Sequence, residues 1–452
     1  MLKELLTPEI IQLIRERQWA DMREVLVIWP PAEVADLIQS IDEPARVLLM
    51  RFLPRSYEAR VFSELSPGLQ DELLKELSNH EVRGLLAELS PDDRTALMEE
   101  MPVEVTRRLF SLLSPEDLKE TRQLLGYPEG SVGRVMTPNF VGIRAEMTVG
   151  EALEHIRGRG ETSETINVVY VVDETGVLLD EISLRRLVLA QPEKKVSDIM
   201  DGNVVSLSGY SDQEEAVAMI KKYNYLALPV VDSAGVLLGI VTIDDLMDVA
   251  EEEVTEDFLK FGAVSPEADG EGLFDSIREA AVSILFRRRI AWLVLLVFAN
   301  IPTGFAMSFF TGTIESAVAL VFFLPLLIGS GGNAGSQSAT LLVRALATGN
   351  VKMKDVWRML GKEFSVSLLL GLTMGVAVYG IAVFRGGPMV GIVVAISMLL
   401  IVLSSSIVGM LLPFVLQKFG RDPATASAPL ITSIADVGGV LIYFSIAARI
   451  IG

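Results

Sequence analysis

The residue with the sharpest chemical implication is Asp436, in the stretch APLITSIADVGGVLIYF. It is the sole ionisable residue in an apolar run from Ala424 to Ala448. A carboxylate at the centre of a membrane span costs about 3 kcal/mol, so it must face a polar interior or an aqueous path. No Lys or Arg lies within any apolar run of this chain to pair with it. Its partner is then a cation, a proton or a polar group of another helix. Ser427, Thr432 and Ser433 can add hydroxyls, and Gly438 and Gly439 permit close backbone approach. A single carboxylate binds weakly, but a homodimer with its axis through this point presents two. Magnesium keeps most of its waters and is held through few carboxylates, so a wide, sparsely charged site suits it as a hydrated ion.

A second stretch, FFLPLLIGSGGNAGSQSATLLVRA, places Gly329, Asn333 and eight other small or polar residues inside an apolar run. Small residues let helices pack closely in lipid. They equally suit a lining where carbonyls and small side chains leave room for water and an ion. Both uses fit different faces of one helix. A third set is the acidic run VTIDDLMDVAEEEVTEDFLKFG and its continuation. Ten acids between Asp244 and Asp269 are opposed by one base, Lys260. Such a run is commonly a solvated face. Placed before a membrane pore it becomes a gate: unscreened carboxylates within a Debye length of about 8 Å repel one another. Divalent ions would draw them together, at an affinity of about millimolar for an uncaged oxygen site.

These residues need elements to hold them. Charge-free runs at Ile290–Phe310, Ser316–Val343, Phe364–Phe384, Gly386–Gln417 and Ala424–Ala448, the last broken by Asp436 alone, are each long enough to cross a bilayer. Arg287, Arg288 and Arg289 precede the first run. Five basic residues separate the second from the third, and Lys418 and Arg421 separate the fourth from the fifth. The positive-inside rule then puts the N-terminus in the cytosol and the C-terminus outside. The 452 residues carry a net charge of −20. Before Ile284 stand 54 of the 59 acids and 27 of the 39 bases, a net of −27. That field attracts cations and repels nucleic acid. With no cysteine there is no disulfide or thiolate metal site, and His80 and His155 alone do not make a histidine zinc site. The opening MLKELLTPEI lacks the apolar core of a signal peptide.

The acidic half is built from repeats. Trp29-Pro30, Ile41-Asp42, Leu53-Pro54, Leu65-Ser66, Leu77-Ser78, Leu89-Ser90, Met101-Pro102 and Leu113-Ser114 recur every 12 residues. Each is an apolar residue followed by a helix-starting residue and a short amphipathic helix. From Met136 the pattern changes to two parallel copies, each strand, helix, strand, turn, strand, helix, and expected to pack as one domain ending near Ala250. No nucleophile–base set or glycine-rich phosphate loop appears, which argues against an enzyme.

The tandem repeat resembles a pair of cystathionine-β-synthase (CBS) domains. With GSGGNAGSQSATLLVRALATG and ADVGGVLIY in the runs that follow, the chain resembles the MgtE family of magnesium channels end to end. The resemblance implies a multidomain fold: an α-helical superhelix at 1–128, an α/β CBS pair at 129–250, a connecting plug helix at 251–289 and an all-α membrane domain of five spans at 290–452, in a homodimer. It implies a magnesium-gated magnesium channel of the plasma membrane, closed by a cytosolic sensor when magnesium is plentiful. Asp436 matches the family's pore aspartate, with Gly329, Asn333, Thr432 and Gly439 expected beside the pore. Asp245, Asp248, Glu253, Glu256 and Asp257 match sensor carboxylates, Asp422 their membrane-side partner, and Asp212, Glu214 and Asp92 further sensor positions. Thr242-x-x-Asp245 resembles the CBS nucleotide motif, which implies ATP or another adenine nucleotide; the first copy has Ser183 and Arg186 there instead. The chain departs from the family pattern at Ala428, where similar proteins have Asn, and at Arg60, Ala96 and Asn224, which replace sensor acids; Glu58 lies close to Arg60. Two other readings remain open from the residues alone: a CBS-regulated transporter of another solute, coupled to protons through Asp436, and a membrane-anchored sensor that passes nothing.

Overall fold

The structure, a computed structural model, describes Leu13, residues 19–265 and residues 282–451. Glu267 and Asp269 of the acidic run lie outside the described residues, as does part of the expected plug segment. The chain divides into two compact units that part between Glu251 and Glu252.

The first unit begins with short helices: α1 (Trp19–Leu26), α2 (Pro31–Ser40), α3 (Glu43–Phe52), α4 (Arg55–Ser63), α5 (Pro67–Glu76), α6 (Asn79–Glu88), α7 (Pro91–Glu100), α8 (Val103–Leu112) and α9 (Pro115–Leu124). From α2 onward each starts 12 residues after the last, which is the sequence period. A helix of ten residues is marginal alone in water. Three are started by a side-chain cap, where Ser78, Ser90 and Ser114 accept backbone N–H bonds from Glu81, Asp93 and Asp117, while the helices after Pro30, Asp42, Pro54, Ser66 and Pro102 start without one. Each is then held by burial. The residue before every cap, from Trp29 through Ile41, Leu53, Leu65, Leu77 and Leu89 to Met101, is at most 8% exposed and joins one continuous core.

Next come α10 (Val132–Val135), β1 (Gly142–Ile143), α11 (Val149–Arg159), β2 (Val168–Val172), β3 (Leu178–Ser183) and α12 (Leu184–Leu189). The second copy is β4 (Leu207–Ser208), α13 (Gln213–Tyr223), β5 (Ala227–Val231), β6 (Leu237–Thr242) and α14 (Ile243–Phe261). In each copy the middle strand pairs parallel with the first and antiparallel with the third. The two hairpin turns are built alike. Asp173 accepts N–H bonds from Thr175 and Val177, Asp232 from Ala234 and Val236, and Gly176 and Gly235 take the left-handed φ of +86° and +82° that a side chain disfavours. The copies join where Leu178 and Leu237 donate to the carbonyls of Gly235 and Gly176. Tyr170, Ala227, Leu237 and Ile240 pack between them.

The second unit holds α15 (Val282–Ser308), α16 (Thr311–Ser316), α17 (Ala319–Ala347), α18 (Val356–Lys418) and α19 (Ala428–Ile450). Four of these are long and apolar enough to cross a membrane. The 63-residue α18 is two helices: Gly387, at φ +84° and ψ 175°, breaks it ahead of Pro388. The chain turns back there, since Gly391 lies against Tyr379 and Val383, Gly375 against Ala395 and Gly371 against Leu399. Five apolar helical segments result. The small residues of α17 sit at the tightest packing. A Cβ on Gly409 would come within 2.1 Å of the Gly335 carbonyl oxygen, and one on Gly335 within 2.8 Å of the Ser405 carbonyl. Helices α17 and α18 therefore touch backbone to backbone, the packing that small residues permit in lipid. On α19, Tyr443 donates its hydroxyl to the Leu320 carbonyl of α17 at 2.9 Å.

Candidate functional site

Helix α19 is capped by Ser427, whose hydroxyl accepts the Leu430 N–H. Asp436 lies nine residues further on, about 13 Å along the axis at 1.5 Å per residue. Its side chain is half-buried. Among the described residues it has no hydrogen-bond or ion-pair partner. Thr432, one turn earlier, packs its methyl group against Gly332 of α17 and donates its hydroxyl to the Pro429 carbonyl. Gly329 and Asn333 are exposed, and a Cβ on Gly329 would meet nothing within 4 Å. Gly439 is different. It is buried, and a Cβ there would meet Ile401 and Ile328 at 3.6 and 3.7 Å, while its neighbour Gly438 faces open space. Helix packing occupies the first glycine, so the second is the one free for backbone approach.

The expected sensor residues fall into separate groups. In the first unit, Asp92 at the start of α7 and Asp245 on α14 belong to one acidic patch with Asp93, Asp244 and Glu164. Asp92 is 8% exposed, and its Oδ1 has no partner. Asp245 accepts the Thr242 hydroxyl at 2.5 Å, so the two residues of the proposed nucleotide motif bond each other. Burial first, then the neighbouring carboxylates, raise these groups. Asp245 is pushed up to about 8, Glu164 to about 7 and Asp93 to about 6, and Asp92 is also raised. No Lys or Arg contributes to any of the four.

In the second unit, Glu256 and Asp257 on the end of α14 meet Asp422, and Lys260 stands among them. Its ammonium donates to Asp422 at 2.7 Å and pairs with Glu256 at 2.5 Å. Burial lowers the Lys260 pKa, but the two carboxylates raise it more, and the net is upward. Burial and Asp422 push Asp257 up to about 6. Asp248 is exposed and raised by partial burial and by Glu251. Asp212 has a local task, capping α13 by accepting the Glu214 N–H at 2.9 Å. In the first CBS copy Arg186 pairs with Asp201 at 2.9 Å. Among the described residues no three carboxylate or histidine side chains converge closely enough to hold a metal ion.

Sequence reasoning missed Asp93, Glu164 and the pairing of Lys260. Asp93 was signalled only by adjacency to Asp92. Glu164 lies in the loop GETSET, outside any acidic run, and only the fold brings it near α7. Lys260 was visible as the sole base in its run.

The raised carboxylates carry a sign. A group whose folded pKa exceeds its unfolded value of about 4 binds more protons when folded, so stability falls as pH rises through the interval between the two values. For Asp93, Glu164 and Asp245 that interval runs from about 4 to about 8. A fragment ending at residue 265, without divalent ions, should therefore unfold at a higher temperature at pH 6 than at pH 8, by at least about 3 °C. Saturating Mg2+ should shrink the difference. Equal melting temperatures at the two pH values would refute the placement of these acids.

The family description "MgtE intracellular N domain" matches residues 29–130, "CBS domain" matches 132–193 and 196–252, and "MgtE: Divalent cation transporter" matches 324–446. The chain is 39% identical to a magnesium transporter MgtE of Thermus thermophilus, over 99% of this chain and 98% of the relative. It is 34% identical to one of Bacillus subtilis, over 98% and 96%. Among solved structures, the soluble part of a magnesium transporter aligns with TM-score 0.54 at 31% identity, covering 56% of this chain and 99% of that one. The cytosolic domain of the Mg2+ channel MgtE in complex with ATP aligns with TM-score 0.51 at 38% identity, covering 54% and 100%.

Proposed function

The chain belongs to the MgtE family of divalent cation transporters, and from that premise we propose that it moves Mg2+ across a membrane under the control of its own cytosolic carboxylates. It is a transporter and not an enzyme. The observation that carries the reading is Asp436: a carboxylate with no partner among the described residues, on an apolar helix whose Thr432, one turn earlier, packs against Gly332 of α17. In this reading two copies of the chain bring two such carboxylates to a common axis, where hydrated Mg2+ is held through its own waters. Residues 1–128, 129–250, 251–289 and 290–452 act as helical, CBS, plug and membrane domains. The soluble half faces the cytosol of a plasma-membrane protein whose C-terminus is outside, as the loop charges favour.

Control runs through the acidic groups. Asp92 with Asp245, Asp248, Glu253, Glu256 and Asp257 with Asp422, and Asp212 with Glu214 supply oxygen ligands. Mg2+ bridging them lowers the repulsion that otherwise holds the junction apart. The soluble half is then the two-state element that the ion biases toward closure. An adenine nucleotide adds to this at Thr242 and Asp245, a reading supported by the ATP complex of the related cytosolic domain.

The test is Mg2+ uptake into liposomes holding the purified protein, with the soluble half facing outward or inward as set by protease accessibility. Uptake should be fast when Mg2+ is absent from the side bearing the soluble half, and suppressed when millimolar Mg2+ is present there. No uptake in either orientation overturns the transport reading. Uptake that follows an imposed proton gradient rather than the Mg2+ gradient favours the proton-coupled alternative.

A further inference from the structure

The end of the membrane unit that joins α17 to α18 carries a basic surface with no role in the sites above. Between Arg344 and Glu363 the chain holds five bases, Arg344, Lys352, Lys354, Arg358 and Lys362, against two acids, Asp355 and Glu363. All five bases are exposed, and among the described residues none of them forms an ion pair. Both acids are partly buried, and Asp355 is occupied locally, accepting the Lys352 N–H at 3.0 Å.

The surface is held in place by the fold beneath it. The connection turns back onto α17, where Gly349 donates to the Leu346 carbonyl at 2.9 Å and Val351 to the Ala345 carbonyl at 3.1 Å. Val351, Val356, Met359 and Leu360 then pack on a core of Leu342, Met410 and Phe414. That side of α18 is taken. Arg358 and Lys362 lie one turn apart on another side. Next to them is Trp357, 83% exposed, and Phe364, 48% exposed, follows two turns along the same face. A large exposed ring is unfavourable in water, but depth gives this one a purpose. Phe364 opens the charge-free run to Phe384, which places it at the edge of the hydrocarbon. Along the axis Lys362 lies about 3 Å and Trp357 about 10 Å beyond it. That stretch brackets a headgroup layer of about 5–8 Å. Tryptophan favours that layer because its ring is apolar and its N–H is polar.

We propose that Lys354, Arg358, Lys362 and Trp357 form a binding surface for the headgroup of an anionic phospholipid, with Arg344 and Lys352 adding charge at its edge. Charge alone would equally suit a soluble anion or an acidic protein surface. The apolar face beside it selects a lipid: the bases reach the phosphate, Trp357 packs against the headgroup, and the acyl chains run along Phe364. The proposal rests on the apolar segments spanning a membrane and not on what they transport.

The experiment is binding of a short-chain phosphatidylglycerol to the full-length protein in neutral detergent, read by native mass spectrometry and by thermal unfolding. Phosphatidylcholine of the same chain length and inorganic phosphate are the comparison probes. Phosphatidylglycerol should bind saturably and raise the melting temperature by about 3 °C or more. A base near an anionic surface contributes about five-fold in affinity. Replacing Lys354, Arg358 and Lys362 together by Gln should therefore weaken binding on the order of a hundredfold, and Trp357→Ala should also weaken it. Replacing Lys119, Lys194 and Lys221, exposed bases of the first unit, by Gln should leave it unchanged. If the triple variant fails to fold, Arg358→Gln alone, with its expected five-fold loss, carries the test. Equal binding of the two lipids, an effect reproduced by inorganic phosphate, or binding that survives these substitutions overturns the site. So does a change of oligomeric state in Trp357→Ala, which would make this face a contact between copies of the chain. No readout needs transport, so failure here is distinct from failure of the transport reading.

Discussion

Asp436→Ala should lower Mg2+ flux by roughly a hundredfold while leaving the protein folded. A membrane-embedded charge is costly, at about 3 kcal/mol, and no charged group among the described residues pairs with Asp436. It is retained at that cost only if an ion uses it, and losing an interaction of that size corresponds to roughly two decades in rate. Removing the carboxylate also removes the cost, so the melting temperature should hold or rise. The measurement is fluorescent Mg2+ uptake into liposomes beside thermal unfolding of the same preparation. Wild-type flux in the variant would sink the pore assignment. A collapse of the melting temperature would mean that Asp436 is a structural group satisfied by another helix. Asp436→Asn tests the membrane-anchored sensor reading instead: it keeps the shape and the polar contacts but should fail to pass Mg2+ for want of charge, and intact function in that variant would favour a sensor that passes nothing.

Replacing Asp245, Asp248, Glu253, Glu256 and Asp257 together by their amides should leave the transporter active at millimolar Mg2+, where the unaltered protein is shut. The structure refines why. Asp257 and Asp422 already approach closely enough for burial and Asp422 to push Asp257 up to about 6, and Lys260 holds Asp422 and Glu256 together. Lys260 is thus a resident cation in the place the ion would compete for. Such partly exposed pairs are worth about 1 kcal/mol or less, so divalent ions at millimolar levels can displace it. Lys260→Met should shift the Mg2+ needed for half-closure by a few-fold, whereas the amide variant should lose closure entirely. An amide variant locked shut without Mg2+ would show that repulsion alone opened the pore and that bridging plays no part.

Much of this was legible in the sequence, for identifiable reasons. The 12-residue period reports itself because each short helix follows a helix-starting residue and the same kind of buried residue before it, so Trp29, Ile41 and their successors recur in register. The isolation of Asp436 was legible because the absence of Lys and Arg from apolar runs is a property of the chain alone. The twin hairpin turns were legible as VVDETGVLL and VVDSAGVLL. What stayed hidden depends on long-range pairing. Glu164 reads as a loop residue until the fold carries it to Asp92. Gly438 and Gly439 are indistinguishable in a run of small residues until Ile328 and Ile401 are seen against one of them.

The turn at Gly387 has a consequence for how the membrane unit is made. The two halves of α18 are joined with no loop, and Gly371, Gly375 and Gly391 bring them into contact along their length. A segment of this kind has almost nothing to translocate across the bilayer besides Arg385 and its neighbours. It can enter the membrane as one preformed hairpin, with its backbone bonds and its inter-helix contacts made before insertion is complete. An epitope or protease site spliced between Gly386 and Pro388 would disturb assembly itself, not merely report on a surface.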